Sequence, residues 1–228
     1  KESLHLTIGD ISLELAQRKT SNHPNASAIR LDITNESQRN TEIQKADIVI
    51  SMLPAHMHIE VANDCITYKK HMVTASYISN EMHALNEEVV KKNLVFMNEI
   101  GLDPGVDHMS AMQVIDSIRS KGGKMLLFES FCGGLVAPES DTNLWNYKFT
   151  WNPRNVVLAG QGGKSKWLAN GELHQIAPSE VFKHVQRFDF PELGQIEAYP
   201  NRDSLNRNRI EILIIRNMKE NIICHKSH

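Results

Sequence analysis

Cysteine is scarce in this sequence. Its three residues, Cys65, Cys132 and Cys224, are odd in number and widely spaced, and no CxxC pair occurs. That excludes a disulfide framework and points to a reducing compartment, so a cytoplasmic protein is expected. No HExxH is present, and the eleven histidines are scattered, with His56 and His58 two apart. No metal site is expected. No apolar run is long enough to span a bilayer, and the opening Lys-Glu-Ser-Leu-His-Leu lacks the apolar core of a signal peptide, so no membrane partner is expected. A basic excess is missing too: 25 Lys and Arg face 27 Asp and Glu, for a net charge of −2. Nothing there would hold a phosphate backbone, and nucleic acid is set aside as a partner. Glycine-rich phosphate loops of the GxGxxG kind are also lacking.

What is present is ordinary globular composition. The chain has 228 residues, 41% hydrophobic and 23% charged, enough to bury a core unaided. At roughly 150 residues per domain, one or two domains are expected. Along residues 4–97 short apolar runs alternate with helical stretches. Strands are expected over Leu4–Ile8, Ala28–Ile33, Ala46–Ser51, His71–Ala75 and Leu94–Met97. Helices are expected over Ile11–Lys19 with Ser12 as N-cap, Glu36–Lys45, His56–Lys69 and Glu81–Lys92. This alternation predicts βαβ units and a parallel sheet, with ligands gathering at the carboxyl ends of the strands.

The texture changes after residue 102. A helix is expected over Asp107–Arg119, with Met109, Met112, Ile115 and Ile118 on a core-facing side and Lys121-Gly122-Gly123 ending it. Strands follow over Met125–Phe131, Tyr147–Trp151, Val156–Leu158 and Gln195–Ala198. The predicted class is α/β: a Rossmann-type parallel sheet, truncated at its N-terminal part, then an α+β domain with a mixed or antiparallel sheet. The expected limits are 1–102, 103–205 and an unassigned tail, 206–228, in which Ile210–Ile215 could form one strand.

Two features hint at chemistry. Asp10 ends the first strand before a helix. It is either a helix-capping residue or the acid that binds the adenosine ribose, which belongs about 20 residues after a glycine-rich turn. The second reading requires that a first βα turn is lost from this chain. Ser51-Met52-Leu53-Pro54 closes a buried strand where a dinucleotide's ribose and nicotinamide would pass. A plain strand-to-loop turn is the other reading of it.

Three segments are more specific: Thr74-Ala75-Ser76-Tyr77-Ile78-Ser79, Met97–His108 with its Gly101-Leu102-Asp103-Pro104-Gly105, and Ser130–Glu139 with Cys132-Gly133-Gly134. With Tyr147–Trp151 and Tyr199-Pro200-Asn201-Arg202-Asp203-Ser204, in that order, they closely resemble the saccharopine dehydrogenase family, nearest its glutamate-forming branch. The resemblance runs from about residue 4 to residue 205. It implies nicotinamide-dependent interconversion of saccharopine with L-glutamate and 2-aminoadipate 6-semialdehyde, in a cleft between a Rossmann domain and a substrate domain.

The same resemblance implies roles for residues. Asp10, Ser51, Leu53, Pro54, Ser76 and Tyr77 look like cofactor contacts. Ser76, Tyr77, Asp103, Cys132, Trp151, Asn201 and Arg202 look like substrate contacts. The chemistry of the residues is compatible. Saccharopine carries three carboxylates and two amines; Arg154 and Arg202 offer bidentate forks, and Asp103 an acceptor for an amine. Asp103-Pro104-Gly105 is expected to open a helix whose first amides could hold an anion. Asp103, Tyr77 and Cys132 are the catalytic candidates for proton transfer, with the substrate's own amine as the alternative.

The cofactor is expected to be NAD(H) or NADP(H), and the acid at position 10 favours NAD. The expected partner is the small-molecule amino-acid substrate, with a homodimer as the one assembly considered. The sequence departs from the family in lacking the glycine-rich loop and in the tail after Ser204, and Val136 stands where the family usually has proline. Two rival readings are a carboxynorspermidine synthase-like imine reductase and a truncated, non-catalytic member of the family.

Overall fold

The computed structural model describes residues 4–131, 133, 136–144, 147–149, 153–154, 163–169, 171–191, 194–200, 204–205 and 215–217. The chain divides into two compact units, Lys1–Val106 and Asp107–His228.

The first unit is built from parallel strands joined by helices. β1 (Leu6–Asp10) pairs in parallel with β2 (Ala26–Arg30) across α1 (Leu13–Thr20). Ser12 caps α1 by accepting the Leu15 N–H, and the chain leaves that helix through Ser21 at φ 46°. α2 (Glu36–Lys45) has the predicted limits and is capped by Asn35, whose Oδ1 accepts the Gln38 N–H. β3 (Ile48–Ser51) follows, then one 3-10 turn at Ala55–Met57 and α3 (His58–Thr67). Next come β4 (His71–Thr74), α4 (Asn80–Ala84), α5 (Asn86–Lys91) and β5 (Phe96–Met97). The helix predicted as continuous over Glu81–Lys92 is thus two, parted at Leu85. β3, β4 and β5 pair in that order, all parallel. Among the described residues of this unit the parallel strands form two blocks, β1–β2 and β3–β4–β5.

The core of this unit joins α2, α3, β4 and α4. Ile43, Val61, Ala62, Cys65, Met72 and Met82 are buried against one another, and Val49, Leu53 and Phe96 pack onto them. Each large apolar side chain removed from water contributes about 1.5–3 kcal/mol. Val61 and Cys65, four residues apart on α3, face this cluster because i and i+4 share a helix face. Arg39 of α2 is buried alongside. Its guanidinium bonds Asp64, Glu60 and the Ile33 carbonyl, locking α2 to α3.

The second unit opens in α6 (Val106–Ser120) and leaves it through Gly122 at φ 73°. Ile115 is fully buried, but Met109 is 62% exposed. The core-facing Met side predicted for this helix is corrected there: one turn of it faces outward. β6 (Glu129–Phe131) is shorter than the predicted Met125–Phe131, and it pairs in parallel with β11 (Ile215–Asn217). Tyr147–Phe149 form no strand, and 150–151 and 156–158 lie outside the described residues. Two antiparallel hairpins complete the unit: β7 (Ser165–Ala169) with β8 (Glu172–Ile176), and β9 (Gln186–Phe190) with β10 (Gly194–Ala198). Among the described residues no helix is long and apolar enough to cross a membrane.

Candidate active site

The carboxyl ends of β3 and β4 lie side by side because Ser51 pairs with Thr74 in the parallel register. Both side chains are buried, and both meet His58, the first residue of α3. Ser51 Oγ lies 2.8 Å from His58 Nδ1, and Ser76 Oγ lies 2.7 Å from Nε2. Thr74 Oγ1 stands 3.4 Å from the same Nε2 and accepts the Ser76 N–H at 3.3 Å. One imidazole therefore ties together both strand ends. Burial holds the His58 pKa below the usual histidine range, and the neighbouring His56 charge lowers it further.

Beyond β4 the backbone is stapled by Glu99. The Glu99 N–H donates to the Ser76 carbonyl at 3.1 Å, while its Oε1 accepts the Ile78 N–H at 3.2 Å. This holds Tyr77 outward, 47% exposed, with its hydroxyl donating to Asp103 Oδ1 at 3.0 Å. Asp103 sits in a tight turn rather than in the first turn of α6, which starts only at Val106. The Gly101 N–H donates to the Pro104 carbonyl at 2.8 Å, and the Val106 N–H to the Gly101 carbonyl at 2.9 Å. The anion-holding helix opening predicted for Asp103-Pro104-Gly105 is corrected accordingly: the first amide of α6 is spent on the chain itself. Gly105 is at φ 152°, and a Cβ there would stand 2.1 Å from the Gly101 carbonyl oxygen. Only glycine fits.

Ser76, Tyr77 and Asp103 are thus gathered at the carboxyl end of β4. Two hydroxyls and a carboxylate there can accept from, and exchange a proton with, an amine. Other candidates are placed differently. Asp10 is half-buried, and its Oδ1 accepts the Ser12 N–H at 2.8 Å, a local bond at the approach to α1. Leu53 packs on the core and Pro54 is exposed. Arg154 is exposed in the second unit. Cys132, Trp151, Asn201 and Arg202 lie outside the described residues. Asp107 and His108 pair with each other at 2.7 Å. Among the described residues no cluster of His, Cys, Asp and Glu could hold a metal ion.

His58 is the residue that the sequence reading missed as part of this site. Its signal was positional: with Val61 and Cys65 it repeats at i, i+3 and i+7, the buried stripe of α3. A histidine on that stripe, just past a strand end, must face buried groups.

Comparison with known proteins agrees along most of the chain. Residues 1–97 match the family described as saccharopine dehydrogenase NADP binding domain, and residues 101–224 match the saccharopine dehydrogenase C-terminal domain. The latter extends beyond residue 205, into the segment that the sequence reading left unassigned. Alpha-aminoadipic semialdehyde synthase of Arabidopsis thaliana is 37% identical over 207 residues, covering 90% of this chain and 19% of that protein. Saccharopine dehydrogenase (NADP(+), L-glutamate-forming) of Saccharomyces cerevisiae is 38% identical over 202 residues, covering 86% of this chain and 45% of its own. A solved structure, apo saccharopine dehydrogenase (L-Glu forming) from Saccharomyces cerevisiae, superposes with a TM-score of 0.83 at 33% identity over 96% of this chain and 50% of that one. The chain spans less than half the length of these two curated relatives. The NAD preference read from Asp10 finds no support. The domain description that covers it specifies NADP, and the Asp10 carboxylate is engaged by the Ser12 amide.

Proposed function

This chain belongs to the saccharopine dehydrogenase family, and on that premise we propose that the whole protein interconverts saccharopine with L-glutamate and 2-aminoadipate 6-semialdehyde, using NADP(H). The observation that carries this reading is the Tyr77–Asp103 pair beside Ser76 at the end of a parallel strand. Such an arrangement suits a secondary amine held at the strand terminus, where α/β sheets bind their ligands.

The polar groups at the ends of β3 and β4 fit the ribose and nicotinamide half of a dinucleotide. Ser51, Leu53, Pro54, Ser76 and Tyr77 would line it, with Asp10 at the end of β1 toward the adenosine. The pyrophosphate is a different matter, because this sequence holds no glycine-rich turn to receive it. When bound, the nicotinamide accepts or returns the hydride. In the oxidative direction the CH2–NH unit of saccharopine gives a hydride from carbon and a proton from nitrogen. Water then adds to the imine, releasing glutamate and the semialdehyde. Asp103 Oδ1 accepts the amine proton, and the Tyr77 hydroxyl stabilises that carboxylate by donating to it. Cys132, Trp151, Asn201 and Arg202 are the further substrate contacts that the family resemblance implies, with Arg154 and Arg202 as forks for substrate carboxylates. A cytoplasmic location and a homodimer belong to the same proposal.

The test is NADPH oxidation by the whole protein with glutamate and the semialdehyde, followed by identification of the product. Saccharopine is expected, with NADPH preferred over NADH. Turnover with 1,3-diaminopropane in place of glutamate would support the carboxynorspermidine synthase-like rival instead. No turnover with either amine, and no NADPH binding, would leave the non-catalytic reading.

A further inference from the structure

Among the described residues, five other than glycine take positive φ: Ser21, Asn22, Lys69, Asn93 and Glu99. The first four follow the ends of α1, α3 and α5, where a left-handed residue commonly closes a helix. Glu99, at φ 60°, follows no helix; it stands just beyond β5. Glutamate is poorly suited to that conformation, because its Cβ crowds the neighbouring carbonyl. Glycine would take the same turn freely. A residue with a side chain stays there only where surrounding contacts hold it.

Those contacts join the two halves of the site. The Glu99 N–H reaches the Ser76 carbonyl, and the next amide, that of Ile100, reaches the Thr74 carbonyl at 3.4 Å. These bonds zip the segment that leads to Asp103 onto the segment that carries Tyr77. From the left-handed turn the Glu99 side chain reaches back, and its Oε1 accepts the Ile78 N–H. Gly101 then passes close to Ala75: a Cβ on it would lie 3.2 Å from the Ala75 Cβ. The path from Tyr77 through Ile78, Glu99 and Gly101 to Asp103 is closed into a ring by the Tyr77 hydroxyl on Asp103. Glu99 holds this ring through both its backbone and its side chain.

We propose that Glu99 is a positioning residue for proton transfer: its carboxylate, presented by a left-handed backbone, fixes the Ile78 amide and so sets the Tyr77 hydroxyl against Asp103. The proton transfer rests on the saccharopine reading above; the staple does not.

Three variants of the whole protein separate side chain from backbone. Glu99→Gly keeps the turn and removes the carboxylate. Glu99→Asn also tolerates the turn, but its side chain is one carbon too short. Glu99→Gln keeps an acceptor at the same reach. Hydrogen–deuterium exchange, read on peptides that contain Ile78, needs no turnover. Glu99→Gly and Glu99→Asn are expected to speed exchange at Ile78 about tenfold, and Glu99→Gln to leave it near that of the unaltered protein. Unchanged exchange in the Gly and Asn variants overturns the proposal. In saccharopine oxidation both are expected to lower kcat about tenfold, with Glu99→Gln within about threefold of the unaltered protein. In a Tyr77→Phe background the cost of Glu99→Gly should fall below about twofold. Full activity in Glu99→Gly, an equal loss in Glu99→Gln, or the same cost without the Tyr77 hydroxyl contradicts the assignment. Faster exchange at Ile78 in the Gly and Asn variants of a protein that does not turn over saccharopine upholds the staple and faults the substrate reading instead.

Discussion

A neutral imidazole buried between hydroxyls makes stability depend on pH with a definite sign. Burial holds the folded pKa of His58 below its unfolded value near 6.5, so the unfolded chain takes up the proton first. The stability that the neutral ring contributes is fully present above about pH 6.5 and is lost as pH falls toward the folded pKa. His58→Gln should flatten this acid limb of the unfolding midpoint, measured between pH 5 and 7. Cys65 behaves differently. Its thiol is fully buried and pushed up to about 12 by burial and the nearby Asp64. Iodoacetamide at pH 8 should leave Cys65 unmodified in the native chain and modify it in urea, read by peptide mass mapping. Arg39 holds Asp64 and Glu60 from a buried position. Arg39→Met should destabilise the first unit by about 3 kcal/mol in urea unfolding, chiefly by stripping the cation from Asp64.

At the scale of elements, the turn Gly101–Gly105 decides where Asp103 stands. Gly105→Ala drives a Cβ into the Gly101 carbonyl, so it should break the Tyr77–Asp103 contact and abolish most activity of the whole protein. Its effect on activity should exceed that of Ser12→Ala, which removes only the cap of α1 and costs about 1 kcal/mol of stability. α1 and α2 were legible as helices in the sequence, α1 with Ser12 as its cap; the structure adds Asn35 as the cap of α2. The strands β3 and β4 were legible as apolar runs. Of the hairpin strands only β10 was legible, as Gln195–Ala198; β7, β8 and β9 were not, because polar and charged residues interrupt any apolar pattern. Lys166, Glu172, Gln175, Arg187 and Asp189 break any apolar alternation. The Asn170-Gly171 pair between β7 and β8 was a usable hairpin signal, and Gly171 does take φ 81°.

At the scale of the whole molecule, the Ser76, Tyr77 and Asp103 side chains gather at the carboxyl end of a parallel strand. Ser76, Tyr77 and Asp103 were singled out in the sequence through motif resemblance alone. Their mutual contact was not legible, since 26 residues separate Tyr77 from Asp103 and only the fold closes that interval. His58 lacked a motif altogether and emerged from its burial. The NAD preference read from Asp10 finds no support: the family description over these residues specifies NADP, and a carboxylate just ahead of a helix start also serves a local amide. The most direct measurement is a crystal structure of the whole protein with NADP+ and saccharopine. The saccharopine secondary amine is expected within hydrogen-bond distance of Asp103 and Ser76, with the Tyr77 hydroxyl still on Asp103. Saccharopine bound away from the end of β4, with neither Ser76 nor Asp103 touching it, would rule out this site.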